Sequence, residues 1–209
     1  MFPLYDESRA LGKIPWVTIF LIFVNVVFFF VSLSDLEAYI ETFGFFPVLF
    51  LQGQALFSLF SSMFLHGDFL HLFGNMWFLW IFGDNLENYL GKIKFLFFYF
   101  LSGIGGSLLY SLTAPDKSIP VIGASGAISG VLAGYLILFP HHNIRALVPM
   151  LWFWRIISIP ALIYIGIWFL YQFIYLGSDP FIAYWGHIGG FLTGLLLIYL
   201  FNKKRTEWT

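Results

Sequence analysis

The stretch Gly123-Ala-Ser125-Gly126-Ala-Ile-Ser-Gly130-Val-Leu-Ala-Gly134 sets a serine among glycines at the head of an apolar run that ends at Pro140. Glycines at 126, 130 and 134 recur every four residues. A helix through them carries one smooth stripe against which a second backbone can approach closely. A partner with the same spacing lies near the C-terminus, in Gly186-His187-Ile-Gly-Gly190-Phe-Leu-Thr-Gly194, and it carries a histidine at its outer end. Two glycine-striped helices packed on each other would bring Ser125 and His187 into contact.

The rest of the chain has the composition of a membrane protein. Of its 209 residues 60% are hydrophobic and 10% charged, a balance unlike that of soluble domains. A formal net charge of -1 without long basic runs removes any general argument for nucleic-acid binding. The chain has no cysteine, which excludes disulfides, thiolate metal ligands and a cysteine nucleophile. Its first hydrophobic run exceeds a signal-peptide core and lacks a small-residue cleavage site, so it reads as a span.

Six spans are predicted, at about 15–34, 70–90, 93–113, 122–140, 150–176 and 180–202, near the ~20 residues that a bilayer core requires. Pro15 suits the first helical position. Asn25 is expected to bond to a neighbouring helix, and Pro160 to kink the fifth span. The run 44–65 imitates a further span, but Gln52-Gly53-Gln54 divides it into pieces too short to cross. It reads as an interfacial hairpin loop between helices 1 and 2. The expected fold is therefore an all-α polytopic membrane protein: a short cytoplasmic N-terminal segment (1–14), a six-helix membrane domain (15–202) and a cytoplasmic tail (203–209). Both termini then share one face. Arg9, Lys13, Lys92, Lys94, Arg145, Arg155, Lys203, Lys204 and Arg205 fall on the cytoplasmic side and Lys117 alone outside, as the positive-inside rule requires.

In this topology spans two, four and six enter the membrane from the outer face. His71 and Asn75, four apart, share one face at the start of span two. Ser125 opens span four, and His187 lies two turns in from Pro180 on span six. Polar side chains are costly inside a membrane and normally face the bundle interior or a water-filled cavity, so these four converge on one outer-leaflet cavity. A serine nucleophile needs an adjacent base, a role that the neutral His187 imidazole fits. The Asn75 amide, the His71 imidazole and the Ser125 backbone N–H are the candidate donors to an oxyanion. No membrane carboxylate is placed to orient His187, so a Ser125/His187 dyad is expected. His66 reads as a structural residue tying the hairpin to span two.

Each residue alone has a plainer reading. A lone Gly-x-Ser-Gly is more often a helix-packing serine, and a lone His187 an interhelical hydrogen-bonding residue. Their joint placement with Asn75 favours a catalytic site. His66, His71 and His187 are the rival metal ligands, but no His-Glu-x-x-His run exists, so neither metal nor cofactor is expected. A polar-lined transporter would need matching polar groups in the inner leaflet, where none is predicted.

The constellation resembles the rhomboid family of intramembrane serine proteases through His66…His71-x-x-x-Asn75, Gly123-x-Ser125-Gly126 and Gly186-His187-x-x-Gly190. The resemblance implies a six-helix bundle, a Ser125/His187 dyad and an oxyanion site using His71 and Asn75. It also implies supporting roles for His66, Gly123, Gly126, Gly186 and Gly190, and transmembrane-helix proteins as substrates within the lipid bilayer. The expected location is a prokaryotic plasma (inner) membrane, with both termini cytoplasmic. Glu87 and Gly91 match a pattern at the end of span two, where they read as structural. The alternative is a rhomboid-like pseudoprotease that binds helices without cutting; such proteins usually lack the serine or the histidine, and both are present here. Two departures stand out. Phe57-Ser58 replaces a Trp-Arg pair in the hairpin of many members, and Ser129 stands where bacterial relatives often pack a tyrosine against the histidine.

Overall fold

Apolar runs fold as helices wherever their backbone groups can be paired internally, and the computed structural model describes the result for residues 1–7, 13–150, 152–179 and 181–201. In chain order its elements are β1 (Phe2–Asp6), α1 (Trp16–Ser32), α2 (Leu36–Phe43), α3 (Pro47–Leu51), α4 (Ser58–Ser61), a 3-10 turn (Ser62–Phe64), α5 (Phe69–Leu90), α6 (Lys92–Thr113) and α7 (Ser125–Leu138). There follow β2 (Asn143–Pro149), β3 (Trp154–Pro160), α8 (Ala161–Ile174) and α9 (Tyr184–Phe201). Arg9, Pro180 and the tail 203–209 with Lys203, Lys204 and Arg205 lie outside the described residues. Among those described, α6 and α9 are long and apolar enough to cross a membrane; α1, α7 and α8 are apolar but shorter. Phe20, Phe23, Phe30, Leu170 and Leu196 are all exposed, an outer surface suited to lipid rather than water.

The glycine stripes do bring α7 and α9 together. A Cβ on Gly194 would stand 2.6 Å from Gly130 Cα, and one on Gly190 would run into the Gly126 carbonyl. The third glycine of each stripe behaves differently. Gly134 faces Leu86 of α5 and Phe98 of α6, while Gly186 lies against Gly106 of α6. Helix α6 contributes glycines of its own: a Cβ on Gly106 would meet the Gly186 carbonyl at 2.5 Å, and one on Gly189 the Gly105 carbonyl at 2.8 Å. Helix α9 therefore sits in a groove between α6 and α7.

Glu87 explains how α1 is held. Helix α1 has no side-chain cap of its own, its N-cap position being Pro15. The buried Glu87 carboxylate of α5 accepts from the Val17 N–H (3.0 Å), the Thr18 N–H (2.8 Å) and the Thr18 hydroxyl (2.9 Å) instead. A carboxylate at a helix N-terminus satisfies orphan donors and meets the positive end of the dipole. Gly91, at φ +80°, then turns the chain directly from α5 into α6.

Several expectations are corrected. The fold is not all-α, because β1, β2 and β3 form an antiparallel sheet in that order. Ile144 and Ala146 are buried while Arg145 between them stays partly exposed and pairs with Glu7, the alternation of a strand with one face covered. The start of the N-terminal segment is thus structured over Phe2–Asp6: Phe2 stacks on Trp77 at 5.7 Å, and the Trp77 indole donates to the Pro3 carbonyl at 2.6 Å. The predicted fifth span at 150–176 shortens to α8, because β3 occupies its first part. Pro160 does not kink a helix; it is the N-cap of α8 at φ −54°, ψ 140°, after a residue that proline biases towards extended backbone. Asn25 donates to Leu21 O within its own helix at 2.8 Å, and its side chain also meets the Tyr99 hydroxyl of α6. The segment 35–64 holds only short helices, with the chain turning at Gly53 (φ +74°).

These contacts separate two glycines. Gly194→Ala places a methyl against backbone and is expected to destabilise by about 1–3 kcal/mol. Gly166→Ala on α8, with nothing within 4 Å of its Cβ, is expected to be neutral or to stabilise by up to about 1 kcal/mol. Thermal unfolding in detergent measures both.

Candidate active site

Ser125 is the first residue of α7, and the N-cap Ala124 offers no side-chain hydrogen bond. The N–H groups of that first turn lie at the positive end of the helix, without intrahelical acceptors. The chain arrives there through a pinned segment. Phe45 and Val121 exchange backbone hydrogen bonds of 3.0 and 2.8 Å, and the Gly123 N–H donates to Ser62 O at 2.9 Å. Gly123 has φ +114°, and a Cβ on it would stand 2.6 Å from His71 Nε2 and 3.5 Å from Asn75 Nδ2. His71 and Asn75 therefore lie against the backbone just before the serine. Their helix is capped at its start by Asp68, which accepts from the His71 N–H at 2.8 Å. Asn75 is buried, and its Nδ2 has no hydrogen-bond partner.

His187 lies in the first turn of α9, its N–H donating to Ala183 O at 3.0 Å. Its Nε2 is 2.9 Å from Ser125 Oγ, and its Nδ1 is 2.8 Å from Gln172 Oε1 on α8. The ring also lies against Trp168, with centroids 6.2 Å apart. Ser129 turns away from this pair to donate to Ser125 O at 2.7 Å. A small cavity beside Ser125 and His187 is lined by Gly103, Gly106, Ser107 and Ala127 among others.

His66 is drawn in less directly. It is buried edge-on against His71, with centroids 5.0 Å apart, and its ring lies against the Phe64 backbone. Burial, with the His71 ring alongside, pushes the His66 imidazole down to about 3, so the ring packs as a neutral group. Gly126 and Gly190 meet each other in the α7–α9 contact, and Gly186 meets α6. At the departure from the Trp-Arg pair, Phe57 is exposed and Ser58 bonds locally to Ala55 O at 2.6 Å.

Gln172 is what the sequence reading missed. It is buried in the apolar helix ALIYIGIWFLYQFI, and an amide in such a run is the signal that could have found it. Among the described residues no group of three or more His, Cys, Asp or Glu is placed to hold a metal ion.

The rhomboid domain model matches residues 53–204. The chain belongs to the rhomboid family. It is thus a helical membrane protein. It is 35% identical to RHOMBOID-like protein 6, mitochondrial, of Arabidopsis thaliana over 76% of this chain and 48% of that protein. It is 44% identical to Rhomboid protein 1, mitochondrial, of Saccharomyces cerevisiae over 42% of this chain and 26% of that protein. With Rhomboid-like protease 3 of Toxoplasma gondii it shares 33% identity over 69% of this chain and 51% of that rhomboid. The chain matches about half or less of the length of these relatives. All three are eukaryotic and two are named mitochondrial, so they give no support to a prokaryotic inner membrane.

The site makes Gly123 a sensitive position. Gly123→Ala strains the backbone and drives a methyl into His71, with an expected loss of about 1–3 kcal/mol in detergent unfolding.

Proposed function

We propose that this protein is an intramembrane serine endopeptidase in which Ser125 is the nucleophile and His187 the general base. The observation that carries the reading is the 2.9 Å contact between His187 Nε2 and Ser125 Oγ, formed in a site where the buried Asn75 Nδ2 has no hydrogen-bond partner. Ser125 Oγ attacks the scissile carbonyl carbon while its proton passes to His187. Negative charge then develops on the carbonyl oxygen, where Asn75 Nδ2, His71 and the Ser125 N–H are the available donors. The proton returns from His187 to the departing amine, and water repeats the sequence on the acyl-enzyme.

The topology proposed with this chemistry has six spans, α1, α5, α6, α7, α8 and α9, with both termini cytoplasmic. The pairing of β1 with β2 supports it by putting the N-terminus at the same end of the bundle as the α7–α8 connection. Helix α7, with 14 residues, rises only about 21 Å against a core of ~30 Å, which leaves Ser125 below the outer surface. The substrates are proposed to be transmembrane helices of other proteins, entering from the bilayer past α8; nucleic acid has no part. The cavity lined by Gly103, Gly106 and Ala127 suits a small side chain at the cleaved position.

The purified protein should cut a reporter transmembrane helix, and Ser125→Ala and His187→Ala should not. Chelators should leave the rate unchanged. Asn75→Ala should lower kcat by roughly 10²–10³ with little change in KM, because its amide gains a partner only as charge develops. A serine-directed phosphonate that fails to label Ser125 in the folded protein would reduce the chain to a helix-binding rhomboid-like protein.

A helix hides its carbonyls in internal hydrogen bonds, so a substrate must unwind before Ser125 can reach it. Unwinding is easier by about 1 kcal/mol for each Gly and about 3 for Pro relative to Ala in a helix interior. In a reporter series, replacing Gly-Ala by Leu-Leu in the outer third of the span should slow cleavage stepwise. Equal cutting of the all-leucine helix, or cutting at the cytoplasmic end, contradicts this depth.

A further inference from the structure

His187 makes two polar contacts, and the second is with the Gln172 side chain: Nδ1 lies 2.8 Å from Gln172 Oε1. The orientation of that amide is itself fixed, since Gln172 Nε2 donates to Trp168 O at 2.9 Å within α8. Turning the amide over would set its oxygen against the Trp168 carbonyl, two acceptors facing each other in a site where Gln172 is only 6% exposed. Oε1 therefore faces the imidazole, and a carbonyl oxygen can only accept. It follows that Nδ1 carries the proton of the neutral ring. Nε2 is then bare and accepts from the Ser125 hydroxyl, the one arrangement in which His187 can take the serine proton.

We infer that Gln172 is a positioning residue that holds His187 in its Nδ1–H tautomer and turns Nε2 to Ser125, making a Ser125–His187–Gln172 relay rather than a two-residue site. The inference rests on the protease reading for its effect on rate, but the tautomer stands on the hydrogen bonds alone. A third polar group that orients the base is a recurring device in nucleophilic catalysis. Here it comes from α8, a helix whose remaining polar side-chain groups are tyrosine hydroxyls and the Trp168 indole N–H. Trp168, one turn away, supplies both the ring packed on His187 and the carbonyl that locks the amide.

The test combines spectroscopy with kinetics on the full chain in detergent. Ring nitrogen NMR of protein labelled with 15N-histidine, with the His187 signals identified by their loss in His187→Gln, should show Nδ1–H in the wild type. In Gln172→Leu the ring should become a mixture of tautomers, and kcat for a reporter helix should fall roughly 10- to 100-fold, part of the 10²–10⁴ that a positioned base contributes, with KM unchanged. Gln172→Glu, as the neutral acid whose hydroxyl donates to Trp168 O in place of the amide, keeps the acceptor towards Nδ1 and should restore both Nδ1–H and most of kcat. If Gln172→Leu does not fold, Gln172→Met, closer in shape and equally without an amide, replaces it in the comparison. A wild-type ring found as Nε2–H, a Leu or Met variant with unchanged tautomer and kcat, or a Glu variant as impaired as these, overturns the inference. Wild-type protein that neither cuts the reporter nor reacts at Ser125 removes the protease reading instead, and the tautomer comparison still decides the role of Gln172.

Discussion

The close approach of α7 and α9 governs the geometry of the whole site. Serine and histidine side chains are short, so a hydrogen bond between them requires helix axes nearer than the 8–10 Å usual when larger side chains intervene. Gly126 with Gly190, and Gly130 with Gly194, remove those side chains and let backbone lie on backbone. In a bilayer no hydrophobic driving force pushes helices together, so association depends on such packing and on hydrogen bonds between helices. The contact that joins the two helices is therefore the same one that aligns Ser125 with His187. Helix α6 completes it from behind, since Gly105 and Gly106 let α9 settle into the groove.

A second constraint acts on the segment leading into Ser125. Its backbone is tied to the region before α5 through Phe45–Val121 and Ser62–Gly123, and Gly123 adopts a φ that side chains rarely tolerate. These ties press the chain onto His71 and Asn75. The buried Asn75 Nδ2 is left without a partner, at a cost of about 1–3 kcal/mol. A donor held unpaired in the resting protein has most to gain when charge appears beside it, which is the condition for electrostatic preorganisation.

Much of this was legible as periodicity. The glycines at intervals of four, and His71 four residues before Asn75, specify helix faces directly. What escaped did so for physical reasons. Period-four glycines do not say which neighbour they face, and Gly134 packs on Leu86 and Phe98 instead of α9. The run 150–160 is apolar enough to read as the start of a span, and the strand pattern shows only before it, where Arg145 between buried Ile144 and Ala146 follows a period of two. Gln172 was hidden by its setting in an apolar, aromatic-rich helix. An amide oxygen can accept the Nδ1 proton as a carboxylate would, without carrying the charge that marks a carboxylate in an apolar run.

That an amide orients His187 suits a site of this depth. A carboxylate would hold the same proton, but an ionised carboxylate buried beside a neutral imidazole would carry a desolvation penalty of several kcal/mol. An amide accepts the Nδ1 proton without net charge, and its second half is satisfied by the Trp168 carbonyl at 2.9 Å, so no polar atom of the relay is stranded. The neutral partner stabilises the imidazolium less than a carboxylate would. Its contribution is geometric: it fixes which nitrogen is bare and where that nitrogen points. In a low-dielectric bundle, direction is what an uncharged group can supply most cheaply, and direction is what the 2.9 Å approach of His187 Nε2 to Ser125 Oγ requires.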